Sequence, residues 1–168
     1  GDLFLAQHVW DLVLDAGLEP NAITYNTMVK VCFKADDAEL AESWMERMLA
    51  EGVVPCTACF STLISTFGRL GMVEKTELWF SKMVRMKLRP DVVVFNSMIS
   101  AFSEAGIPAK AEYWFEQMQQ HGVNPDEQSY CGAIRGCAGH GAIDSAEHWY
   151  RRMKAQFCTP DHATFEAL

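Results

Sequence analysis

Apolar residues recur along the chain at alternating spacings of three and four, with polar residues between them. In segment 25–32 these residues are Tyr25, Met28, Val29 and Cys32. In segment 41–48 the same spacing is kept by Ala41, Trp44, Met45 and Met48. Positions i, i+3, i+4 and i+7 lie on one face of an α-helix, so each segment predicts an amphipathic helix.

This pair of segments recurs every 35 residues. The sequence ITYNTMV at 23–29 returns as VVFNSMI at 93–99, two periods later. Five of the six prolines share the period and lie at Pro20, Pro55, Pro90, Pro125 and Pro160. Because proline and glycine end regular elements, each proline marks the end of a unit. The chain therefore divides into four full units, 22–56, 57–91, 92–126 and 127–161, flanked by partial units at 1–21 and 162–168.

Each full unit predicts two antiparallel helices joined by a tight turn. Gly71, Gly106 and Gly141 lie between the two segments, where a left-handed residue ends a helix. Pro108 suits the first turn of a second helix. A hairpin of about 35 residues cannot bury its own apolar faces, but stacking on neighbouring hairpins buries them. The sequence thus predicts an all-α fold, a right-handed α-solenoid of 35-residue helix-turn-helix repeats, with first helices on one surface and second helices on the other.

The second helices carry a small residue and a tryptophan at fixed positions. The small residues, which we expect to allow close helix approach, are Ala6, Ala41, Thr76, Ala111 and Ala146. The tryptophans, which we expect to fill the space between hairpins, are Trp44, Trp79, Trp114 and Trp149. A tryptophan and methionine stripe can also line a cofactor site, but its strict recurrence favours core packing. We expect no cofactor.

Composition agrees with a folded chain outside the membrane. Hydrophobic residues make up 49% of the 168 residues and charged residues 21%, which supplies enough apolar surface to offset ordering entropy. No run of about 18 apolar residues occurs, so we expect no membrane-spanning segment. The first residues do not resemble a targeting peptide, and with partial units at both ends we expect the chain to be a piece of a longer protein.

Six cysteines raise the possibility of a metal site. Cys56 and Cys59 form the only close pair, and no second CxxC or histidine pair follows at a zinc-like interval. Cys32 and Cys137 fall on predicted buried helix faces, where they act as small hydrophobic residues. We therefore expect no metal and a reducing compartment.

The recurring motifs resemble those of a known family. Units open with a TYN-like segment and end with M-x-x-x-G-hydrophobic-x-P, as in residues 48–55 and 118–125. With the 35-residue period, these motifs resemble the pentatricopeptide repeat family over the whole chain. The resemblance implies binding of single-stranded RNA along the first helices, at about one base per repeat. It also implies a role in RNA processing, stability or translation in a chloroplast or mitochondrion.

The resemblance assigns base reading to the fifth and last residues of each unit. These residues are Asn26 and Cys56, Ser61 and Asp91, Asn96 and Asp126, and Cys131 and Asp161. The third pair resembles the uracil-preferring combination of the family, and the second pair resembles the guanine-preferring one. The first pair lacks the acid, and the fourth lacks a good hydrogen-bond donor. The expected sequence is 5′-pyrimidine, G, U, any-3′.

The second residue of each unit is expected to pack against base faces. Ile23, Ala58 and Val93 suit that role, whereas Gln128 departs from it. The alternative for all these positions is a solvated helix face without a ligand.

The net charge of −8 opposes RNA binding, because nucleic acid requires cations at its phosphates. The charge is segregated, however. The first-helix segments 24–34, 59–69, 94–104 and 129–139 carry four cations, expected to contact phosphates, against the single acid Glu104, for a net charge of +3: Lys30, Lys34, Arg69 and Arg135. The acids crowd the second helices, which leaves the predicted RNA surface mildly basic.

A structural scaffold and an enzyme are the alternative function classes. A short acidic solenoid could be a structural scaffold that contacts protein subunits of a large organellar ribonucleoprotein or membrane complex, since a fold does not define what its surface binds. An enzyme is not expected, because the five histidines lie at scattered repeat positions and no HxE with a later CxxC occurs. We assign no catalytic residue.

Overall fold

The computed structural model describes residues 2–156 and 158, and this part of the chain contains nine α-helices and no β-strand. The helices are α1 Asp2–Asp15, α2 Ala22–Lys34, α3 Ala38–Ala50, α4 Thr57–Arg69, α5 Val73–Arg85, α6 Val92–Glu104, α7 Pro108–Gln120, α8 Glu127–Gly139 and α9 Ile143–Ala155. Helices α2, α4, α6 and α8 begin 35 residues apart, each at the first residue of a predicted unit. We call them the first helices, and α1, α3, α5, α7 and α9 the second helices.

Hairpins stack in chain order. Each first helix packs against the second helix that follows it, and the first helices also pack on one another in the series α2, α4, α6 and α8. The predicted all-α helical repeat solenoid is confirmed. The first helices consequently form one continuous surface.

Side chains at the helix N-termini bind the exposed backbone N–H groups. Asn21 accepts hydrogen bonds from the amides of Ile23 and Thr24, and Asp91 accepts one from Val94. Asp126 caps α8 in the same way. These residues are one repeat length apart or multiples of it, so the end of each unit also starts the next first helix.

The turns within the hairpins have the predicted left-handed residue. Gly71, Gly106 and Gly141 have φ angles of 69°, 71° and 70°. Asp36 takes the equivalent position in the first full unit with a φ of 56°. Glycine adopts this conformation without the steric cost that a Cβ atom imposes, so the turn at Asp36 is the strained one of the series.

The predicted core stripe is buried. Trp44, Trp79, Trp114 and Trp149 are at most 7% exposed, and the small residues from Ala41 to Ala146 are buried beside them. The rings join consecutive hairpins, with centroid distances of 4.7 Å between Phe80 and Trp114 and 4.8 Å between Phe115 and Trp149. Core packing, rather than cofactor binding, therefore accounts for the tryptophans.

Buried cysteines belong to the same core. Cys32 and Cys137 are at most 2% exposed, and burial raises the pKa of Cys32 to about 11. Both act as small hydrophobic residues, as predicted. Among the described residues, no three His, Cys, Asp or Glu side chains gather in a way that could hold a metal ion. Within the same residues, no helix has the length and apolar character needed to cross a membrane.

Polar contacts link the outer surfaces of neighbouring second helices. Glu42 on α3 accepts hydrogen bonds from Lys75 and from the Trp79 indole on α5. Burial acts to raise the pKa of Glu42, but the bonds from Lys75 and Trp79 outweigh it and lower the pKa below its usual value. One repeat further, Lys110 lies 2.5 Å from Glu77. These pairs connect the acidic second helices to one another.

Helices α6 and α8 approach closely at two glycines of α8. A Cβ atom on Gly136 would lie 2.2 Å from the Cβ atom and 2.4 Å from the carbonyl carbon of Ser103. A Cβ atom on Gly132 would lie 2.3 Å from the Ser100 hydroxyl. At Gly136 the backbone of α6 leaves room only for glycine, whereas at Gly132 the Ser100 hydroxyl would have to rotate away, so Gly136 sets the spacing of the two helices.

We predict that Gly136→Ala destabilises the protein by about 2 kcal/mol or more, because α6 and α8 must separate to admit the methyl group. Gly139→Ala is the matched control on the same helix, since no described atom lies within 4 Å of its Cβ position. The control should leave the free energy of unfolding unchanged or raise it by up to about 1 kcal/mol. Urea unfolding followed by circular dichroism measures both, and equal effects would contradict the close-packing account.

Candidate functional site

A groove runs across the surface of the first helices α4, α6 and α8. Its volume is about 520 Å³. Five predicted site residues line it, coming from three different units: Arg69, Val93, Asn96, Cys131 and Arg135. Gln128 and Glu104 lie in the same groove. The fold thus brings residues predicted to read bases, pack on bases and contact phosphates from separate repeats onto one surface.

Ser61 and Asp91, the fifth and last residues of the second unit, are joined by hydrogen bonds. The Ser61 hydroxyl lies 3.3 Å and 3.2 Å from the two carboxylate oxygens of Asp91, and 3.0 Å from the Thr57 carbonyl oxygen. Asp91 also accepts a bond from the Val94 amide at 3.0 Å, as the N-cap of α6. Ser61 is only 7% exposed, so its hydroxyl is held between the two helices.

Asn96 and Asp126, the fifth and last residues of the third unit, are also joined by a hydrogen bond. The Asn96 amide nitrogen donates to the Asp126 carboxylate at 3.0 Å. The Ser129 hydroxyl lies 2.5 Å from the Asn96 carbonyl oxygen and 3.0 Å from Asp126. Asp126 accepts from the Ser129 amide at 3.0 Å and Ser129 accepts from the Asp126 amide at 3.1 Å, which completes a capping box. The side chain of Asn96 is therefore oriented by two neighbours.

Ser129 was not among the predicted site residues. Its signal in the sequence is the spacing Asp-x-x-Ser at 126–129, an N-cap acid followed at the third helical position by a hydroxyl. The bond from Ser129 to Asn96 spans 33 residues and is set by the packing of α8 on α6. Capping rules predict the contact of Ser129 with Asp126, whereas its contact with Asn96 forms only when the helices stack.

The first unit lacks this arrangement. The side-chain amide oxygen of Asn26 is buried and has no hydrogen-bond partner among the described residues. Cys56, the residue expected to pair with Asn26, makes no capping hydrogen bond with its side chain in this part of the structure. It instead lies next to Cys59, with 3.4 Å between the two sulfur atoms. Asn26 is thus left without the acid that orients Asn96.

The fourth unit departs further. Cys131 lines the groove but is only 2% exposed. Its expected partner Asp161 lies outside the described residues, as does the predicted partial unit 162–168. Cys131 offers a thiol where the other units offer an amide or a hydroxyl. A thiol is the weaker hydrogen-bonding group.

The predicted base-packing residues stand out from the helix surface. Ile23 is 77% exposed and Val93 is 50% exposed. Ala58 is exposed too, and so is Gln128 at the equivalent position of the fourth unit. Each of the first three units therefore presents one exposed apolar side chain beside its fifth residue.

The predicted phosphate-contacting residues differ in their surroundings. Lys30 and Lys34 are exposed on α2, and Arg135 lines the groove. Arg69 lies 2.6 Å from the carboxylate of Asp36 and 2.5 Å from the Phe33 carbonyl oxygen. The ion pair of Arg69 with Asp36 is largely exposed to solvent, so it contributes little to the stability of the fold. An external anion can replace Asp36 as the partner of Arg69.

Glu104 occupies the position equivalent to Lys34 and Arg69. It places a carboxylate in the groove close to where the cations of the other units lie. The ring of His140 lies against the backbone of the same residue, with its Nε2 atom 2.6 Å from the Glu104 carbonyl oxygen. Glu127, in the first turn of α8 and outside the segments counted from the sequence, also lines the groove. The groove is consequently basic at its α4 side and acidic at the C-terminal end of α6 and the N-terminal end of α8.

The fold and groove define a class of protein, a helical-hairpin repeat array with one regularly patterned surface. Family models match in succession along the chain. The pentatricopeptide repeat domain matches residues 8–69, the PPR repeat matches 58–88 and 128–156, and the PPR repeat family matches 90–139. The chain belongs to the pentatricopeptide repeat family.

Solved structures share the fold at low sequence identity. The PPR domain of Arabidopsis thaliana protein-only RNase P 1, in complex with tRNA, superposes with a TM-score of 0.80 at 17% identity, covering 98% of this chain and 87% of that one. PPR10 in complex with an 18-nt psaJ RNA element gives 0.76 at 22% identity, covering 89% and 22%. Nuclear proteinaceous RNase P 2 from A. thaliana gives 0.80 at 14% identity, covering 99% and 37%. The chain thus spans about a fifth of PPR10. No curated protein sequence matched the chain.

We predict that Asp126→Ala lowers the free energy of unfolding by about 1–2 kcal/mol, because α8 loses its cap. Asp126→Asn should lower it by less than about 0.5 kcal/mol, since asparagine caps as well as aspartate does. Thermal or urea unfolding compares the two variants. An Asn variant as unstable as the Ala variant would show that the carboxylate acts through its charge and not as a cap.

Proposed function

We propose that this chain binds single-stranded RNA along the surface of the first helices, with about one base for each helix pair. The observation that carries the proposal is the repeated contact between the fifth residue of one unit and the N-cap of the next, Ser61 with Asp91 and Asn96 with Asp126. Two of the structural relatives were crystallised with RNA, which supports the same interpretation.

Uracil is the proposed base for the third unit. Asn96 donates one amide hydrogen to Asp126 and its oxygen accepts from Ser129. One amide hydrogen and one lone pair remain for a ligand. They match the O4 acceptor and the N3–H donor of uracil. Asp126 and Ser129 hold the amide in the orientation that this match requires.

Guanine is the proposed base for the second unit. Ser61 is a smaller residue than Asn96, which leaves more room above α4 for a purine. With its hydrogen directed to Asp91 or Thr57, its oxygen retains a lone pair that accepts from an N–H of the guanine edge. An aspartate at the same repeat position, Asp91 or Asp126, therefore serves a different base according to the side chain that it orients.

The other two units contribute less selectivity. Asn26 keeps an amide without an orienting acid, which leaves a pyrimidine preference, and Cys131 reads little. The proposed sequence is 5′-pyrimidine, G, U, any-3′. Ile23, Ala58 and Val93 pack against base faces, and such stacking contributes about 1–3 kcal/mol per base. With four bases, this segment alone binds weakly.

The proposed cellular role follows the family resemblance. We assign the chain to organellar RNA processing, stability or translation, in a chloroplast or mitochondrion. The alternative is a scaffold whose partner is a protein subunit. The binding measurements below distinguish the two, because a scaffold gives no base-dependent binding.

We predict that Asn96→Ser changes the base preference of the third unit from uracil to guanine, because it recreates the Ser61–Asp91 combination while Asp126 still caps α8. The preference should change by about tenfold, within the 1–3 kcal/mol expected of a well-oriented polar contact. RNA selection followed by fluorescence anisotropy on the selected strands measures it.

The same selection with Asn96 and Asp126 both replaced by alanine should lose uracil enrichment opposite the third unit. Enrichment that survives the double change would overturn the base assignment. Binding that is equally weak for all sequences, and independent of salt, would instead favour the scaffold role.

We predict that Glu104→Lys strengthens RNA binding by about three- to tenfold at low salt, because it replaces a carboxylate in the groove by a phosphate-binding cation. The slope of log K against log salt should steepen by about 0.7, the value for one added contact on a single strand. Glu116→Lys makes the same charge change at an exposed position of α7 and is the matched control. An equal gain in the control would show that net charge, and not the groove, governs binding.

A further inference from the structure

Two thiols, those of Cys56 and Cys59, lie next to each other at the start of α4. Cys56 is the N-cap of α4 and is exposed, and Cys59 lies one turn into the helix and is fully buried. Their sulfur atoms are 3.4 Å apart. A disulfide requires about 2.05 Å, so a shift of roughly 1.4 Å, which side-chain rotation can supply, joins them.

We propose that Cys56 and Cys59 form a reversible dithiol–disulfide site, in which the exposed Cys56 reacts first with a low-molecular-weight disulfide such as glutathione disulfide. The Cys56 thiolate attacks one sulfur of that disulfide, the S–S bond breaks, and one thiolate leaves. Cys59 attacks the Cys56 sulfur, the second glutathione thiolate leaves, and that departing thiolate takes the proton of the buried Cys59 thiol. Two protein thiols are oxidised to one disulfide and the small disulfide is reduced to two thiols.

The local environment separates the two roles. Burial acts to raise the pKa of Cys56, but the nearby backbone N–H of Cys59, the Cys59 thiol and the nearby backbone N–H of Ala58 outweigh it and lower the pKa below the usual thiol value. Burial, with a second contribution from the neighbouring Cys56, raises the pKa of Cys59 to about 12. Once Cys56 is in the mixed disulfide, its negative charge is gone and that second contribution disappears. Cys56 is therefore the attacking thiol and Cys59 the resolving one.

The repeat itself provides an internal comparison. Asp91 and Asp126 stand where Cys56 stands, and Val94 and Ser129 stand where Cys59 stands. In α6 and α8 an aspartate carboxylate binds the helix amides, and in α4 a thiol occupies that anion-favouring position. Among the full units, only the junction of the first and second units carries both thiols. The site is therefore specific to one joint of the array.

The test is oxidation of the reduced chain by glutathione disulfide, acid quenching, alkylation of the remaining thiols and peptide mass spectrometry. Cys158, which is partly exposed, is replaced by serine in the samples used to assign the disulfide, because it is a competing thiol, and one separate sample retains Cys158 for comparison of the reaction rates. We expect Cys56 and Cys59 to lose alkylation together, in one disulfide-linked peptide without retained glutathione. Cys59→Ser should retain one glutathione on Cys56, and Cys56→Ser should leave Cys59 unmodified.

Two results would overturn the proposal. One is a stable glutathione adduct on Cys56 while Cys59 is intact, which would exclude a resolving role. The other is a Cys56 that reacts no faster than Cys158 in the chain that retains both, where we expect about a tenfold difference. Circular dichroism verifies that each variant is folded, and Cys59→Ala replaces Cys59→Ser if the buried hydroxyl prevents folding.

Discussion

The burial of each hairpin's apolar faces against the next hairpin is the interaction on which the rest of the structure depends. A single pair of 13-residue helices has too little interior to fold alone. The tryptophan rings of the second helices fill the joints on one side, and Gly132 and Gly136 bring α6 and α8 together on the other. Because every joint has the same length of chain, equivalent side chains line up along one surface. The regular spacing of the candidate site is a consequence of core packing.

The aspartates at the joints connect the stability of the helices with the proposed base recognition. Asp91 and Asp126 cap the first helices and also contact the fifth residue of the preceding unit. A helix N-terminus needs an acceptor there in any case, so the site uses a group that the fold already requires. Where the acid is missing, at Cys56, the cap and the orienting contact are lost together and Asn26 keeps an unpartnered oxygen. The same substitution places a thiol at the start of α4, beside a second one.

Charge is distributed in a way that the net value of −8 conceals. Acids of the second helices are paired across neighbouring hairpins, as in Glu42 with Lys75 and Glu77 with Lys110. Two cations of the first helices, Arg69 and Arg135, line the groove, although Arg69 is engaged by Asp36 and the acids Glu104 and Glu127 lie in the same groove. The proposed RNA binding is consequently expected to be weak for this segment alone, because few phosphates can be neutralised. In that proposal, base selectivity comes from oriented polar side chains more than from electrostatic attraction.

The amino-acid sequence by itself determined the helices, their 35-residue period, the left-handed turns and the buried stripe, because periodicity and glycine or proline punctuation act locally. It also indicated which residues recur at the fifth and last positions. Only the tertiary structure decided that Ser129 orients Asn96, that Arg69 pairs with Asp36, and that the two sulfurs at 56 and 59 meet at 3.4 Å. Contacts between residues 33 apart depend on how far one helix sits from the next. That distance is set by side-chain volumes packed between hairpins, which no short-range pattern encodes.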